Sequence, residues 1–394
     1  MRRTRLVIAI FVLALVAIGL VVLASAGTTV AERFKVGAAH FVVNQVRWLV
    51  LGVVAMVSAY FFDYRQWREK PWLAFAFYAG IVVAMLAVFA FPSVNGSRRW
   101  LVFGSMRFQP GEFAKLVCVI LTAVWLELAD WKVRLFWKGV VPPCIFVGVL
   151  LALALAEPDY GTLFVIAVTF GAMLVMGGVK ILHLAVLGVS GAVFVLPFLL
   201  SNANRMRRIF AWLPEAVLEK LAPYMTGIGE MSAADAQEAN HQLNQALLAI
   251  QKGGIGGVGF NQSIQKHSYL PENHTDFIFA IGAEEWGIGF SFLVLALFTG
   301  IFVFGFYIAL HAKDRLGRLL AFGVSFLIFF QALFNMAVVS GLAPTKGIAL
   351  PFMSYGGTSL LSSLISVGVL LGVARQTFLQ SFREKSRIPA VFSN

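Results

Sequence analysis

Long apolar runs separated by short polar breaks fill most of this chain, and their lengths predict its fold. A helix needs about 20 mostly apolar residues to cross a hydrocarbon core about 30 Å thick. Backbone polar groups find no water there, so each crossing segment must satisfy its own hydrogen bonds as a helix. The runs predict spans over roughly 6–24, 46–62, 72–91, 113–129, 139–156, 162–177, 182–200, 277–309, 318–341 and 356–374. The expected fold class is therefore all-α: a polytopic membrane protein of about ten transmembrane helices, in one domain over residues 1–394. One large extracytoplasmic loop, residues 201–276, is expected between spans seven and eight. Within it, Ala233 to Gln251 is polar with Leu243, Leu247 and Ile250 at helical spacing, which predicts an amphipathic helix lying on the outer face. The glycines from Gly253 to Gly259 read as a flexible turn, since no strand precedes them and no Gly-Lys-Ser/Thr follows.

The start of the chain imitates a secretory signal, with Arg2, Arg3 and Arg5 before an apolar run and Ala24-Ser25-Ala26 after it. The run from Leu6 to Leu23 exceeds a usual signal core, so a retained helix is expected.

Composition agrees: 59% of the 394 residues are apolar and only 13% charged, which excludes a water-soluble domain. A net charge of +12 would suggest nucleic acid in a soluble protein, but here the charges report topology. With the N-terminus inside, the inner segments hold 17 Lys and Arg and the short outer loops 8. Both termini are thus expected in the cytoplasm, and no nucleic-acid partner is expected. Cys118 and Cys144 both fall in apolar segments, so neither a disulfide framework nor a zinc site is expected.

Polar residues are costly in a membrane, so those in or beside the spans are the candidates for chemistry. Asp276, in Pro271-Glu272-Asn273-His274-Thr275-Asp276-Phe277, stands at the outer mouth of span eight. It is either a partly desolvated proton acceptor or, with Thr275, a helix cap. Glu284 and Glu285 lie about 12 Å deeper, where they either relay protons or line a cavity, or else pair with a lysine or stay neutral. Pro344-Thr345-Lys346-Gly347 and Pro351 to Gly357 cannot continue a helix, and irregular backbone at membrane depth is tolerated where it lines something wet. Asn95-Gly96-Ser97-Arg98-Arg99-Trp100 places two guanidiniums on an outer loop, where they bind phosphate or anchor helix ends. Arg107 shares that loop, Glu112 and Lys115 open the following helix at the spacing of an ion pair, and Glu157-Pro158-Asp159 forms a tight outer turn. All of these groups fall on one side of the predicted topology.

In this order and over nearly the whole chain, these segments resemble the shape, elongation, division and sporulation (SEDS) family. The carriers are Asn95–Trp100, Gln109-Pro110-Gly111-Glu112-Phe113, Glu157–Thr162, His274–Phe277 with Ala283-Glu284-Glu285, and Pro344–Gly347 with Ser354–Gly357. Pro344–Gly347 and Tyr269-Leu270-Pro271-Glu272 are closer to the family's division branch than to its elongation branch. The resemblance implies a peptidoglycan glycosyltransferase that polymerises lipid II. It also implies a class B penicillin-binding protein and other divisome membrane proteins as partners, and a place in the bacterial cytoplasmic membrane at the division site. The family's essential aspartate maps onto Asp276 and its last-loop lysine onto Lys346. Asp276 is thus expected to be catalytic, and Arg98, Arg99, Lys346, Glu112, Lys115, Asp159, His274, Thr275 and Ser354 to bind substrate. A divalent cation would assist the departing pyrophosphate, but no ligand set in the sequence predicts one. The chain departs from the family at Ser268, where a loop acid is usual, and in small changes at Ser97 and Gly111. Two other classes are open: a flippase or transporter of lipid-linked substrate, and a non-enzymatic divisome scaffold.

Overall fold

Each of the ten apolar runs forms a helix in the computed structural model, which describes residues 1–33, 35–37, 39–92, 98–104, 106–200, 233–266, 274–344 and 347–387. The helices are α1 (Arg2–Arg33), α2 (His40–Phe61), α3 (Gln66–Glu69), α4 (Trp72–Ala87), α5 (Pro110–Ala129), α6 (Val141–Ala156), α7 (Tyr160–Met176), α8 (Ile181–Leu200), α9 (Ala233–Gly253), α10 (Ile278–His311), α11 (Arg315–Val339) and α12 (Gly357–Arg387). Seven of them (α1, α2, α4, α6, α10, α11 and α12) are long and apolar enough to cross a membrane, counting the short turns that extend α4 and α6, and α7 and α8 are shorter apolar helices. The tenth, α5, carries Glu112, Lys115 and Glu127, yet almost all of its residues are buried. It can afford those charges because α4, α6, α7 and α11 surround it.

Apolar side chains such as Leu13, Val54, Val83, Ile145 and Phe292 face outward, while Gln331, Asn335, Ser354, Thr358, Ser362 and Ser366 are buried. Lipid outside and a polar interior is the arrangement in which helix contacts depend on packing and internal hydrogen bonds. One element was not legible as periodicity: Leu101–Phe103 (β1) and Met106–Phe108 (β2) form an antiparallel hairpin in the outer loop before α5, with Val102 opposite Arg107. Three-residue strands are too short to show an alternating pattern.

The run read as one span near 277–309 is broken. Gly287 adopts φ 72° and ψ −163° inside α10, so the backbone kinks there. The glycine turn after α9 repairs the break. Val258 N–H donates to the Glu284 carbonyl at 2.9 Å, Gly259 N–H to the Glu285 carbonyl at 3.0 Å, and Ile288 N–H to the Gly254 carbonyl at 2.9 Å. A Cβ at Gly257 would come within 2.2 Å of the Glu285 carbonyl oxygen, so two backbones meet where only glycine fits. The turn expected to be flexible is therefore docked. For the same reason α9 packs its Leu243–Ala246–Ala249 face on α10 rather than resting on lipid alone.

The acid pair at this kink is held by the chain itself. Glu284 accepts from the Ser263 hydroxyl and from the Ile264 N–H at 3.0 Å. Glu285 accepts from the Ser25 hydroxyl and pairs with the buried Lys266 ammonium at 3.5 Å. Of the readings left open, pairing with a lysine is observed for Glu285, whereas Glu284 is held by a hydroxyl and backbone N–H groups. Ser25, inside the signal-like Ala24–Ala26 stretch, is thereby buried in the middle of a continuous helix.

Candidate active site

Asp276 sits half-buried one residue before the N-cap position of α10, which falls on Phe277 and makes no side-chain cap bond. The helix start directs its positive dipole end toward this carboxylate. Opposite lies the irregular segment between α11 and α12. Gly347 is so close that a Cβ there would come within 2.5 Å of Asp276 Oδ2. The two regions singled out in the sequence, His274–Phe277 and the segment around Lys346, therefore meet. Thr345 and Lys346 themselves lie outside the described residues.

Buried amides and hydroxyls hold this junction. Asn335, on α11, donates from Nδ2 to the Asp276 carbonyl at 2.8 Å and to the Ile348 carbonyl at 2.6 Å. Gln331, one turn earlier, donates to the Ala349 carbonyl at 2.9 Å. The Ser354 hydroxyl donates to the Thr275 carbonyl at 2.6 Å and accepts from Leu350 N–H at 2.8 Å. Gln45 on α2 donates to the Ser354 carbonyl at 3.0 Å and accepts from Gly356 N–H at 3.2 Å. Tyr355 N–H donates to the His274 carbonyl at 2.9 Å, and the two rings lie 5.6 Å apart. Each bond satisfies a backbone group that irregular structure would otherwise leave open in a membrane.

Other expected site residues reach the junction indirectly. Lys115 pairs with Glu112 at 2.8 Å, both buried, and also donates to Gln331 Oε1 at 2.8 Å. The pair is thus the intrahelical one that the spacing allowed, tied through Gln331 to Ala349. Beside it is a cavity with room for about one water, lined by Glu112, Lys115, Gln331 and Ser362. Asp159 caps α7, accepting from Thr162 N–H at 3.1 Å, from the Thr162 hydroxyl at 2.9 Å and from Gln109 Nε2 at 2.9 Å. It locks the starts of α5 and α7 together. Gly161, in the first turn of α7, in turn abuts Ile348 and the Gly347 carbonyl.

The basic residues described have different neighbours. Arg98 is exposed and donates to the Phe89 carbonyl at 3.4 Å. Arg99 is half-buried and turns toward Glu157. Glu157 is fully buried, and neither of its oxygens has a hydrogen-bond partner among the described residues. Burial and the nearby Asp159 charge push its carboxyl up to about 8, against the pull of Arg99. Arg107 reaches toward the Tyr355 hydroxyl: burial raises that group, while the Asn44 hydrogen bond and the Arg107 charge pull it back.

Gln45, Gln331, Asn335 and Arg107 were missing from the expected set. Their signals were present: amides inside apolar helices, and a third arginine on an outer loop where positive charge is disfavoured. Among the described residues no three His, Cys, Asp or Glu side chains gather where they could hold a metal. Cys118 and Cys144 are free thiols.

Comparison with known proteins identifies relatives of this chain. The family model described as "Cell cycle protein" (FtsW, RodA, SpoVE) matches residues 5–378. The probable peptidoglycan glycosyltransferase FtsW of Geobacter metallireducens is 36% identical over 386 residues, covering 94% of this chain and 95% of that one. Its Pseudomonas fluorescens counterpart is 34% identical, covering 92% and 85%. Among solved structures, the rod shape determining protein RodA of Thermus thermophilus superposes with a TM-score of 0.66 at 24% identity, covering 94% of this chain and 96% of that one. A chain from a peptidoglycan synthase complex that coordinates polymerization and crosslinking superposes with a TM-score of 0.67 at 24% identity. With ten helices in the order expected and a family match over nearly its whole length, this chain belongs to the FtsW/RodA/SpoVE family of cell cycle proteins.

Proposed function

We propose that this chain is a peptidoglycan glycosyltransferase of the division type, polymerising lipid II with Asp276 as general base. The observation that carries the proposal is the lodging of the Asp276 carboxylate against Gly347, on a junction braced by Asn335 and Ser354. A carboxylate at a partly dry helix mouth takes the proton from the attacking sugar hydroxyl as that oxygen bonds to the anomeric carbon of a second lipid-linked disaccharide. The bond from that carbon to undecaprenyl pyrophosphate breaks, and the pyrophosphate leaves with the electron pair. Lys346, with Arg98 and Arg99, meets the charge that develops on it; cations fixed in a low-dielectric cleft lower the barrier most where charge appears.

Glu112, Lys115, Asp159, Thr275 and Ser354 have polar atoms engaged within the chain, so we assign them to positioning the junction rather than to direct contact. His274, ring-packed on Tyr355, forms the wall beside the base. A class B penicillin-binding protein is the partner proposed, in keeping with the peptidoglycan synthase complex that shares this fold, and the cytoplasmic membrane at the division site is the proposed location.

Polymerisation of purified lipid II by the purified chain, resolved on gels with and without a cognate penicillin-binding protein, tests the proposal. Glycan strands that depend on Asp276 are expected. Lipid movement across vesicles with no polymer under either condition would replace it with transport.

A further inference from the structure

The far end of α5 carries a feature that glycosyl transfer at Asp276 does not use. Its 20 residues advance about 30 Å, so Ala129 emerges at the membrane face opposite Pro110. There the chain doubles back through two short turns, Asp130–Arg134 and Phe136–Val140, into α6. The turns are locked together. A Cβ at Gly139 would come within 2.2 Å of the Lys132 carbonyl oxygen, and Trp125 Nε1 donates to the Gly139 carbonyl at 3.1 Å. Between turns and helix lies a cavity of about 410 Å3, lined by Trp125, Leu128, Ala129, Lys132, Trp137 and Lys138.

The charges here are unbalanced. The neighbouring acids are already committed, Asp130 to Arg315 at 3.6 Å and Glu127 to Arg68 at 3.6 Å. The Lys132 and Lys138 ammoniums have no ion-pair or hydrogen-bond partner among the described residues. Trp131 and Trp137 are 65% and 77% exposed, as indoles are where a membrane meets water. A soluble anion would have no use for the Trp125–Leu128 wall, and a neutral lipid none for two uncommitted ammoniums. The chain's own segments expected on this face, with Arg2, Arg3 and Arg5 at one end and Arg383, Lys385 and Arg387 at the other, are basic and would be repelled.

We propose that this cavity binds an anionic phospholipid of the adjacent leaflet. Its headgroup phosphate is held by Lys132 and Lys138, and its glycerol and upper acyl carbons lie on Trp125 and Leu128. Basic pockets between helices at the cytoplasmic face recognise anionic headgroups by this combination.

Native mass spectrometry of the full chain in neutral detergent, titrated with phosphatidylglycerol or phosphatidylcholine, tests it. The wild-type chain should retain one phosphatidylglycerol at concentrations where phosphatidylcholine does not stay bound. The Lys132→Gln/Lys138→Gln double variant should bind it about 30-fold more weakly, at a charge contribution of roughly tenfold or less per lysine. Lys132→Arg/Lys138→Arg should keep the binding. Equal retention of the two lipids by the wild type, which needs no variant to fold, would overturn the proposal. So would undiminished phosphatidylglycerol binding by the double Gln variant, or full displacement of the lipid by millimolar inorganic phosphate, which would make the site one for a free anion.

Discussion

Helical backbone gives way at two places along α10, just before its start at Asp276 and within it at Gly287, and they resolve the same problem in opposite ways. At Gly287 the freed carbonyls of Glu284 and Glu285 are taken by Val258 and Gly259, and both carboxylates are occupied by Ser25, Ser263 and Lys266. Among the described residues, the polar atoms left without a partner there are one buried oxygen of Glu285 and the side-chain oxygen of Gln265. At Asp276 the backbone is also satisfied, by Asn335 and Ser354, but the carboxylate is half-buried beside a loop with no regular structure. A buried acid in a membrane helix is therefore weak grounds for function by itself. What distinguishes the two is access: Glu284 and Glu285 are sealed from solvent while Asp276 is half-buried at the helix mouth, and the deeper, more conspicuous pair is the structural one.

The contrast breaks most severely if Lys266 is removed. Lys266→Met leaves Glu285 buried without its counter-charge and should destabilise the chain by about 3–5 kcal/mol, read as a lowered melting temperature in detergent. Lys266→Met/Glu285→Gln should recover most of the loss, and a double variant as unstable as the single one would show that the pair matters for shape rather than charge.

Glu157 gives the next largest effect, and it depends on pH. Its carboxyl titrates near 8 in the folded chain and at the ordinary 4.5 when unfolded. The folded state thus holds a proton that the unfolded state has lost between those values, so stability is greatest below 4.5 and declines as pH rises to about 8. Glu157→Gln cannot ionise and should escape that decline. Melting curves from pH 4.5 to 8.5 should show the variant gaining on the wild type by up to a few kcal/mol, and parallel curves would mean the carboxylate finds a partner.

Asn335→Leu should act more gently on stability, by about 1–3 kcal/mol, because the Asp276 and Ile348 carbonyls lose their donor. Its polymerisation rate should nonetheless fall by about 100-fold, since small misplacement of a base is expensive. A stable, fully active variant would remove Asn335 from the junction.

Most of the fold could be read from the sequence because bilayer thickness sets a length that each run must meet. α5 was legible despite its three charges, since its Glu112–Lys115 spacing offered an internal pair. The kink at Gly287 was not, because a lone glycine in an apolar run leaves the hydropathy pattern intact. Nor could Lys266 be named as the partner of Glu285, since 18 residues separate them along the chain and their contact is made beside Ser25, from a distant helix. At the candidate site, Asp276 and the Lys346 segment stood out as polar residues and helix breakers beside spans. Gln45, Gln331 and Asn335 did not, because their role lies in the distant backbone they satisfy.

The most direct test separates binding from turnover in Asp276→Asn, a substitution that keeps size and removes the base. The purified variant should bind lipid II within about twofold of wild type and melt at a similar temperature, while polymerising at least about 100-fold more slowly. Glycan made at the wild-type rate by a folded Asp276→Asn chain would contradict the assignment of this carboxylate as the base.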